Sequence, residues 1–424
     1  MVKPMRGGGM SSRGDQRGAA LVVTLVLLVV ALMLGLSSFQ SARLEESMAG
    51  NQRASVQALL AAEYGASKAW LEFDPSSLSS EEGVLVSDDR DNVYYSWSVT
   101  PDGYGKYLFN SVGEVMAGSD LISQRVISYL GILSIGPGGT IVAANNDDDC
   151  EEGSVEFVPP SSNMEVTGEE EVNGNIKAAV QVGCGIIAEN IASSIIPKNG
   201  EFDDYVMHDT GDDTYTCLDG GGNNRLCNYY GGIQGGIDLD ILKNADMLAQ
   251  FVYGIRDNYS ESIVNSIPSS VPEGSITYVK SADDADGNRE TFSRSGNFTG
   301  SGILIVDGNV DFGGVPGFEG LVIVLGDYVV SGGGGGEFKG SVVSAPIVDS
   351  ACWDAGAATG CEFDDKKIEI GGGGSSSYSY DPLAILNAFE LIDGSGLDEL
   401  WGVDNQTLKG NFYMASWSEL IGNY

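Results

Sequence analysis

Basic residues and histidine are scarce in this chain. Its 424 residues include 60 aspartates and glutamates but only 22 lysines and arginines and one histidine, His208, so the formal net charge is −38. Proteins bind phosphate groups through lysine and arginine, and this balance therefore argues against nucleic acid as a partner. Zinc hydrolases and histidine-based triads need several imidazoles or one paired with a nucleophile. We expect His208 to be a structural or surface residue.

A phosphate-binding loop and a second membrane segment are also lacking. The glycine runs at 332–336 and 371–374 are not followed by the lysine and helix that such a loop needs. The longest uncharged run lies at residues 18–42, and its apolar part, about 19–36, has the length of roughly 20 residues that crosses a bilayer. The charged residues before it are Lys3, Arg6, Arg13 and Arg17 against a single Asp15, which predicts a cytoplasmic N-terminus and an exported remainder.

Three interpretations of this segment compete: a cleaved signal peptide, a permanent anchor, and a short basic leader that is removed on the cytoplasmic side while the apolar helix is kept. The apolar pattern continues beyond the membrane at helical spacing until Asp74-Pro75 ends it. Residues 19–73 therefore predict one helix of 55 residues, roughly 80 Å long. Its outer half carries a narrow apolar stripe formed by Leu44, Met48, Val56, Leu59, Leu60, Ala66, Trp70 and Phe73.

Two short motifs carry a specific resemblance. Arg17-Gly18 precedes the apolar segment Ala19-Ala20-Leu21-Val22-Val23, and Glu46-Ser47-Met48-Ala49-Gly50-Asn51-Gln52-Arg53 follows it, with Ala61-Ala62-Glu63 beyond. Together, over about residues 14–73, they resemble the N-terminal region of the PilX-type minor pilins of type IV pili.

The resemblance implies a processing route and a set of partners. Prepilin peptidase would cut after Gly18, and the new amine of Ala19 would be methylated. The subunit would cross the inner membrane once, in contact with its lipid, before it enters the extracellular pilus. Its partners would be other minor pilins, the major pilin and a tip adhesin.

Val23 indicates a position in the filament. Major pilins carry a glutamate at the fifth mature position, which is Val23 when Ala19 is counted as the first. A carboxylate at that depth costs about 3 kcal/mol in the membrane, unless it pairs with the terminal amine of a subunit already in place. A subunit that enters first has no such neighbour. Val23 therefore fits an initiating subunit at the tip, although it also fits an ordinary apolar position in an anchor.

The rest of the chain is rich in predicted strands, among them 92–100, 124–131 and 412–419, with helices at 238–252 and 379–389. We predict an α+β fold in which a long pilin-type helix precedes a β-rich exported domain. The expected divisions are a leader at 1–18, the helix at 19–73, a small β-rich pilin-like region at 74–135, and a β-rich domain at 136–424.

An internal repeat marks the last domain. Phe298-Thr299-Gly300, Phe318-Glu319-Gly320 and Phe338-Lys339-Gly340 follow one another at intervals of 20 residues, and each precedes an apolar run. Periods near 20 with glycine turns are typical of β-solenoid coils. We therefore expect solenoid-like coils at about 296–348 with phenylalanine rings stacked between rungs, although three repeats also leave room for a chance match.

All six cysteines follow the membrane segment, and an even number in an exported region favours disulfides over a metal site. Short loops favour Cys217–Cys227 and Cys352–Cys361, which leaves Cys150–Cys184. We expect no cofactor and no metal. Asp284, Asp286 and Asn288 are weak candidates for calcium, because their loop only partly follows the pattern of an EF-hand.

The leading functional hypothesis is a structural one: a minor pilin, not an enzyme, that helps to start assembly of a type IV pilus and stays near its tip. The alternatives are a GspK-like pseudopilin of a type II secretion system and a membrane-anchored β-helical envelope protein or enzyme. In the last case Asp307, Asp311 and Asp327 are candidates for carboxylates aligned in a groove.

Overall fold

The fold is taken from a computed structural model. It describes residues 16–73, 78–86, 92–133, 135–146, 150–151, 153–160, 164–168, 177–196, 201–211, 213–218, 225–237, 239–281, 289–295, 298–334, 336–348, 352, 360–371, 376–402 and 412–421. The predicted class is confirmed, since a long N-terminal helix is followed by a β-rich domain.

The helices and strands are as follows. The helices are α1 (Gln16–Glu72), α2 (Gly185–Ile195), α3 (Ala245–Asn258) and α4 (Pro382–Glu390), with short 3-10 helices at Phe202–Asp204, Arg225–Asn228, Asp240–Leu242, Ser260–Ser262 and Asp398–Trp401. The strands are β1 (Ser80–Leu85), β2 (Val93–Pro101), β3 (Lys106–Ala117), β4 (Asp120–Leu133), β5 (Gly139–Ala143), β6 (Val155–Val158), β7 (Glu165–Thr167), β8 (Ala178–Val182), β9 (Val206–Asp209), β10 (Thr214–Cys217), β11 (Tyr229–Tyr230), β12 (Ile233–Gly235), β13 (Ile263–Val264), β14 (Ser275–Val279), β15 (Thr291–Arg294), β16 (Thr299–Val306), β17 (Asn309–Gly314), β18 (Gly317–Val324), β19 (Tyr328–Gly334), β20 (Glu337–Ser344), β21 (Ile347–Val348), β22 (Glu362–Phe363), β23 (Lys366–Ile370), β24 (Ser377–Ser379) and β25 (Phe412–Ile421).

The helix α1 has the length that the apolar pattern predicts. Within it, the segment that begins at Ala20 is long and apolar enough to cross a membrane, and that apolar window is fully exposed. The C-terminal part of α1 packs on the first sheet, an antiparallel sheet with the order β1-β2-β3-β4-β25. The strands β2, β4 and β25 correspond to the three strands predicted from the sequence.

The last strand changes how the chain is divided. The strand β25 pairs antiparallel with β4, so that Phe412 lies beside Leu133 and Ile421 beside Arg125. The distal unit, which we define as the described part of residues 135–402, is therefore inserted between two neighbouring strands of the first sheet. The predicted boundaries stay a prediction, but β25 belongs to the same sheet as the strands of 74–135.

The distal unit is built on parallel ladders. Its larger sheet runs in the order β13-β14-β16-β18-β20-β5-β8-β12-β10-β9, and a smaller one in the order β15-β17-β19-β23-β6. The pairs along this order from β13 to β12 are parallel. From β14 to β20 the chain passes from one sheet to the other with each successive strand. The predicted repeats occupy successive rungs, and the second and third are in register, with Gly320 beside Gly340. The first is displaced by two residues, so that Gly300 lies beside Phe318 and Gly302 beside Gly320.

The aromatic residues of the repeats stack as predicted. The ring centroids of Phe298 and Phe318 lie 5.9 Å apart, those of Phe318 and Phe338 6.4 Å, and those of Phe338 and Tyr378 5.4 Å. All four side chains are buried. Tyr378 extends this aromatic column beyond the three repeats that the sequence indicates, and its hydroxyl lies 2.9 Å from that of Tyr328.

The larger sheet is buried on both faces. On β16, Leu304 and Val306 face the core shared with the smaller sheet, whereas Ile303 and Ile305 face a second core shared with α3 and α4. Parallel strands covered on both sides read as uninterrupted apolar runs, and such runs are present in β16 and β18. A simple stack of coils with one buried face is therefore only part of the architecture.

Of the two internal helices predicted from the sequence, the start of one was predicted correctly and the start of the other was not. The helix α4 begins as expected, because the Asp381 carboxylate accepts the backbone N–H groups of Leu383 and Ala384 and Pro382 occupies the first turn. The helix α3 begins at Ala245, later than the predicted 238. The Asn244 side chain accepts two backbone N–H groups there and sets the start, and a short 3-10 helix precedes it.

Polar contacts and a shared core join the distal unit to the first sheet. The Lys106 ammonium donates to Asn387 Oδ1 at 2.7 Å and to Glu390 Oε2 at 3.0 Å, and the Tyr104 hydroxyl donates to Asp398 Oδ2 at 2.9 Å. Apolar side chains of the first sheet, α3 and α4 belong to one continuous core. The distal unit is thus packed against the sheet and not merely tethered to it.

The stacked rings give a prediction on stability. Phe318→Ala should destabilise the distal unit by ~3–5 kcal/mol, because it leaves a cavity between two rings that remain buried. Urea unfolding of the full-length protein in detergent, followed by fluorescence, measures the effect. The adjacent substitution Glu319→Ala is the matched control, since that side chain is exposed and should change stability little. Equal midpoints for both variants would contradict the stacked core.

Candidate functional site

The candidate site is α1 together with the sheet on which its C-terminal part lies. The contact is made by small residues: Ala58, Ala62 and Gly65 face Gly113 and Ser111 of β3. A Cβ atom added to Gly113 would overlap the carbonyl oxygen of Ala58, and one added to Gly65 would overlap the Ser111 hydroxyl. The helix backbone therefore rests almost directly on the strand.

Aromatic residues pack the C-terminal end of α1 against β3 and β4. The Trp70 ring lies 5.6 Å from that of Phe109 and 5.9 Å from that of Tyr129, measured between centroids, and Phe73 lies 4.9 Å from Tyr107. The Tyr129 hydroxyl donates to the carbonyl of Ala66 at 2.9 Å. Large rings thus fill the space at one end of the contact, while small residues let the two elements approach at the other.

A polar cluster ties the edge strand β1 to α1. The Lys68 ammonium donates to Glu81 Oε2 at 2.8 Å and to the Tyr95 hydroxyl at 3.1 Å, and Trp97 Nε1 donates to the same carboxylate oxygen at 3.1 Å. The hydrogen bond from Lys68 lowers the pKa of Glu81, and the same bond raises the pKa of Lys68. The pair is half-exposed and fully ionised at neutral pH.

The predicted stripe on α1 divides into half-buried and exposed residues. Leu59, Ala66, Trp70 and Phe73 are half-buried against the sheet. The remaining members are exposed, namely Leu44 (65%), Met48 (69%), Val56 (51%) and Leu60 (52%). Leu44 and Met48 lie on the same side of the helix as Ala66 and Phe73, but they precede Ala54, the first buried residue of α1. Val56 and Leu60 are turned away from the sheet within the docked part. These positions, with the described apolar segment from Ala20 onward, are left uncovered.

The docking residues were not found from the sequence. Alanine or glycine at positions 58, 62, 65 and 69 recurs at three- and four-residue steps, which is a readable sign of a close helix contact. The contact at Gly113 could not be predicted in the same way, because no pattern in the neighbouring sequence indicates that a helix packs on this strand. The Lys68–Glu81 pair joins residues of two elements, and its partners become known only in the fold.

The processing residues lie at the start of α1. Gly18 and Ala19 belong to the helix that begins at Gln16. Val23 is 56% exposed and lies in a stretch without charged residues. Their proposed roles, cleavage, methylation and filament position, stay predictions.

The cysteines agree with the predicted local pairs. Disulfides join Cys217 to Cys227 and Cys352 to Cys361. The remaining pairing, Cys150 with Cys184, stays a prediction; Cys184 precedes α2 and is half-buried.

The candidates for metal binding and catalysis are placed as follows. Asp284, Asp286 and Asn288 lie outside the described residues, and within the described ranges no three acidic, histidine or cysteine side chains are grouped as a metal site. His208 stacks on Tyr215 with centroids 4.4 Å apart.

The three aspartates of the enzymatic alternative have separate partners. The carboxylate of Asp307 accepts the Tyr278 hydroxyl at 3.1 Å, that of Asp311 accepts the Ser331 hydroxyl at 2.7 Å, and that of Asp327 accepts the backbone N–H of Lys367 at 2.8 Å. Asp311 lies beside Val329 in the ladder, so these carboxylates do not occupy equivalent positions on neighbouring rungs.

Comparison with known proteins identifies the N-terminal region. The PilX N-terminal family matches residues 17–66, which cover the start of α1 and most of its docked part. The predicted PilX-type region is thereby confirmed, and α1 is the helix of a type IV pilin-like protein. No curated protein matches the chain.

Among solved structures, the chain is similar to a pilin at low sequence identity. The solved structure is the crystal structure of the competence-associated pilin ComZ from Thermus thermophilus, with 10% sequence identity and a TM-score of 0.18 over 87% of this chain and 98% of that chain. That TM-score is too low to support a conclusion about this chain.

The close approach at Gly113 predicts the effect of one methyl group. Gly113→Ala should cost ~1–3 kcal/mol or more, because the new Cβ would overlap helix backbone that cannot turn away. Thermal unfolding and protease cleavage within residues 54–72 of the full-length protein in detergent measure the effect. Gly50→Ala is the matched control, since open space surrounds that position and alanine favours the helix. Equal protease resistance would contradict the docking geometry.

The polar cluster predicts a dependence on acid. The pKa of Glu81 is lowered in the folded protein, so its stabilising effect is complete above the ordinary glutamate value of about 4.3 and is lost as the pH falls through the lowered pKa. Glu81→Gln should therefore remove part of the decrease in thermal midpoint between pH 7 and pH 3. Glu82→Gln, at an exposed neighbouring position, should retain it. Coincident pH curves for wild type and Glu81→Gln would contradict this role.

Proposed function

We propose that this protein is a minor pilin that takes part in starting the assembly of a type IV pilus and stays at or near its tip, where it presents the distal unit. Its role is structural and not enzymatic. The observation that carries the proposal is the uncovered apolar face of α1, combined with a membrane-length apolar segment in the same helix.

The exposed apolar surface of α1 must be covered both before assembly and after extraction from the membrane. Before assembly, lipid covers the segment that begins at Ala20, because a helix of this length and composition fits a bilayer. After extraction from the membrane the same surface would face water, at a cost of about 25 cal/mol for each Å² of apolar area. Neighbouring helices of the same kind are the covering that a filament offers. The PilX-type sequence of residues 17–66 supports this type of filament.

The proposed tip position rests on two features. Val23 has no carboxylate. A subunit inside the filament would need a carboxylate at this position to pair with the terminal amine of its neighbour. In addition, the distal unit is large compared with the first sheet and is packed rigidly against it through α3, α4 and the shared core. A bulky unit at a fixed angle is accommodated most easily where no subunit lies beyond it.

The processed N-terminus and the filament together test the proposal. Mass spectrometry of the protein from sheared filaments should show a chain that begins with methylated Ala19. A deletion strain should lose surface pili, which wild type and Gly14→Ala should restore and Gly18→Ala should not, since only the latter changes the proposed cleavage site.

Other outcomes would point elsewhere. A chain that keeps its first 18 residues in cells with active prepilin peptidase would contradict the proposal and support a permanent anchor. Normal pili in the deletion strain, together with impaired protein secretion, would assign the subunit to a type II secretion system.

A further inference from the structure

Two disulfides of the distal unit lie in different surroundings. Cys227 is exposed and Cys217 is half-buried, so the disulfide between them lies at the surface. By contrast, Cys352 and Cys361 are only 1% and 8% exposed, and both belong to the core that the first sheet shares with α3 and α4. The second disulfide therefore lies inside the core that joins the two units.

Both ends of this buried disulfide are bound to α3. The Tyr253 hydroxyl donates to the carbonyl oxygen of Cys352 at 3.0 Å, and the backbone N–H of Cys361 donates to Asp246 Oδ1 at 2.7 Å. Asp246 and Tyr253 are seven residues apart in α3, which places them on the same side of the helix at a distance of about two turns. The disulfide thus holds its two chain segments along one side of α3.

Another side of α3 contacts residues 397–401. The ring centroids of Phe251 and Trp401 lie 5.5 Å apart, and a Cβ atom added to Gly254 would overlap the side chain of Leu397. Phe251 and Tyr253 are two residues apart, so their side chains leave the helix in nearly opposite directions. The helix α3 therefore lies between the disulfide and residues 397–401.

Residues 397–401 in turn contact α4 and the first sheet. Trp401 is buried, and its ring centroid lies 5.5 Å from that of Phe389 in α4. In the same 3-10 helix as Trp401, Asp398 accepts the hydroxyl of Tyr104, which lies between β2 and β3, at 2.9 Å. A continuous series of contacts thus runs from the disulfide through α3 and residues 397–401 to the first sheet.

The disulfide is the one covalent link in this series, and it requires an oxidant. Each thiol gives up one proton and one electron when the S–S bond forms, and a disulfide-containing oxidant takes up both electrons and both protons and leaves as a dithiol. The cytoplasm keeps thiols reduced, so the bond forms after export. In the reduced chain the segments that carry Cys352 and Cys361 are free to separate, because no closed loop restricts them.

We propose that the Cys352–Cys361 disulfide is a positioning device, which holds α3 against residues 397–401 and thereby fixes the orientation of the distal unit on the first sheet. The packed contacts between these elements carry the effect. Oxidation after export thus completes the rigid presentation of the distal unit. The proposal rests on the proposed function only in taking the distal unit to be exported, and its test needs no filament.

The distribution of distances between the two units tests this proposal. Two fluorophores are attached through unnatural amino acids at Leu121 of β4 and Glu319 of β18, which are both exposed, in the full-length protein in detergent. The chain with Cys352→Ser and Cys361→Ser represents the reduced state. Its single-molecule energy-transfer distribution should be broader than that of the wild type, because the distal unit is no longer held at one angle. A distribution as narrow as that of the wild type would overturn the proposal.

The surface disulfide provides the matched control. The chain with Cys217→Ser and Cys227→Ser loses a bond of similar span, with a sequence separation of 10 against 9. Its distribution should stay as narrow as that of the wild type, because this bond makes no part of the series of contacts. Equal broadening in both double variants would show that the loss of any disulfide loosens the junction, and it would overturn the proposal.

Hydrogen exchange locates the change along the chain. In the chain with Cys352→Ser and Cys361→Ser, amide exchange in residues 397–402 should accelerate by at least ~10-fold, because α3 no longer holds them. Exchange in the strands β16 and β18 should stay at the rate of the wild type. Accelerated exchange in α3 together with unchanged exchange in residues 397–402 would overturn the proposed series.

A milder variant decides the case in which the double variant unfolds throughout. Tyr253→Phe keeps the disulfide and the ring but removes the hydroxyl that binds Cys352. It should accelerate exchange in residues 397–402 by about 5-fold, which corresponds to the loss of one hydrogen bond. Unchanged exchange there in Tyr253→Phe would overturn the proposal.

Discussion

The contact between α1 and β3 is the constraint on which the rest of the structure depends. Because Gly113 has no side chain, the backbone of α1 at Ala58 and Ala62 rests directly on the strand. This contact fixes the rotation of the helix about its own axis. The rotation in turn decides which apolar residues become core, such as Trp70, and which stay uncovered, such as Leu60. The division between buried and uncovered residues in this part of α1 thus depends on the close approach at Gly113.

The same sheet also determines how the distal unit is presented. The chain leaves the sheet after β4 and returns as β25 beside it, so both connections lie at the same end of neighbouring strands. The helix α4 and the contacts of Lys106 and Tyr104 hold the inserted unit against the sheet. A load on the distal unit is therefore carried to α1 through packed elements. This arrangement suits a subunit whose helix is stored in lipid and whose distal surface is displayed.

Local patterns predicted well those features that depend on neighbours in sequence. The apolar repeat and Asp74-Pro75 indicate α1, and Asp381-Pro382 indicates the start of α4, because a helix is built from contacts between residues three and four apart. The interval of 20 residues between Phe298, Phe318 and Phe338 indicates the stacked rings. The ladder itself keeps this interval only between the second and third repeats, because Gly300 of the first repeat lies beside Phe318. The start of α3 was misplaced because Asp240–Leu242 form a separate 3-10 helix and the backbone is extended at Asn244, which caps α3.

By itself, the sequence determined the membrane-length helix, the PilX-type motif, the disulfide pairs with short loops and the repeat, each of which is encoded within a short stretch of chain. Only the tertiary structure decided that β25 closes the first sheet, that the larger sheet is buried on both faces, and that the stripe of α1 divides in two. These features join residues that are far apart in sequence, from Ala58 and Gly113 to Leu133 and Phe412. Their partners are selected by packing and by the geometry of the ladders, and no local pattern records that selection.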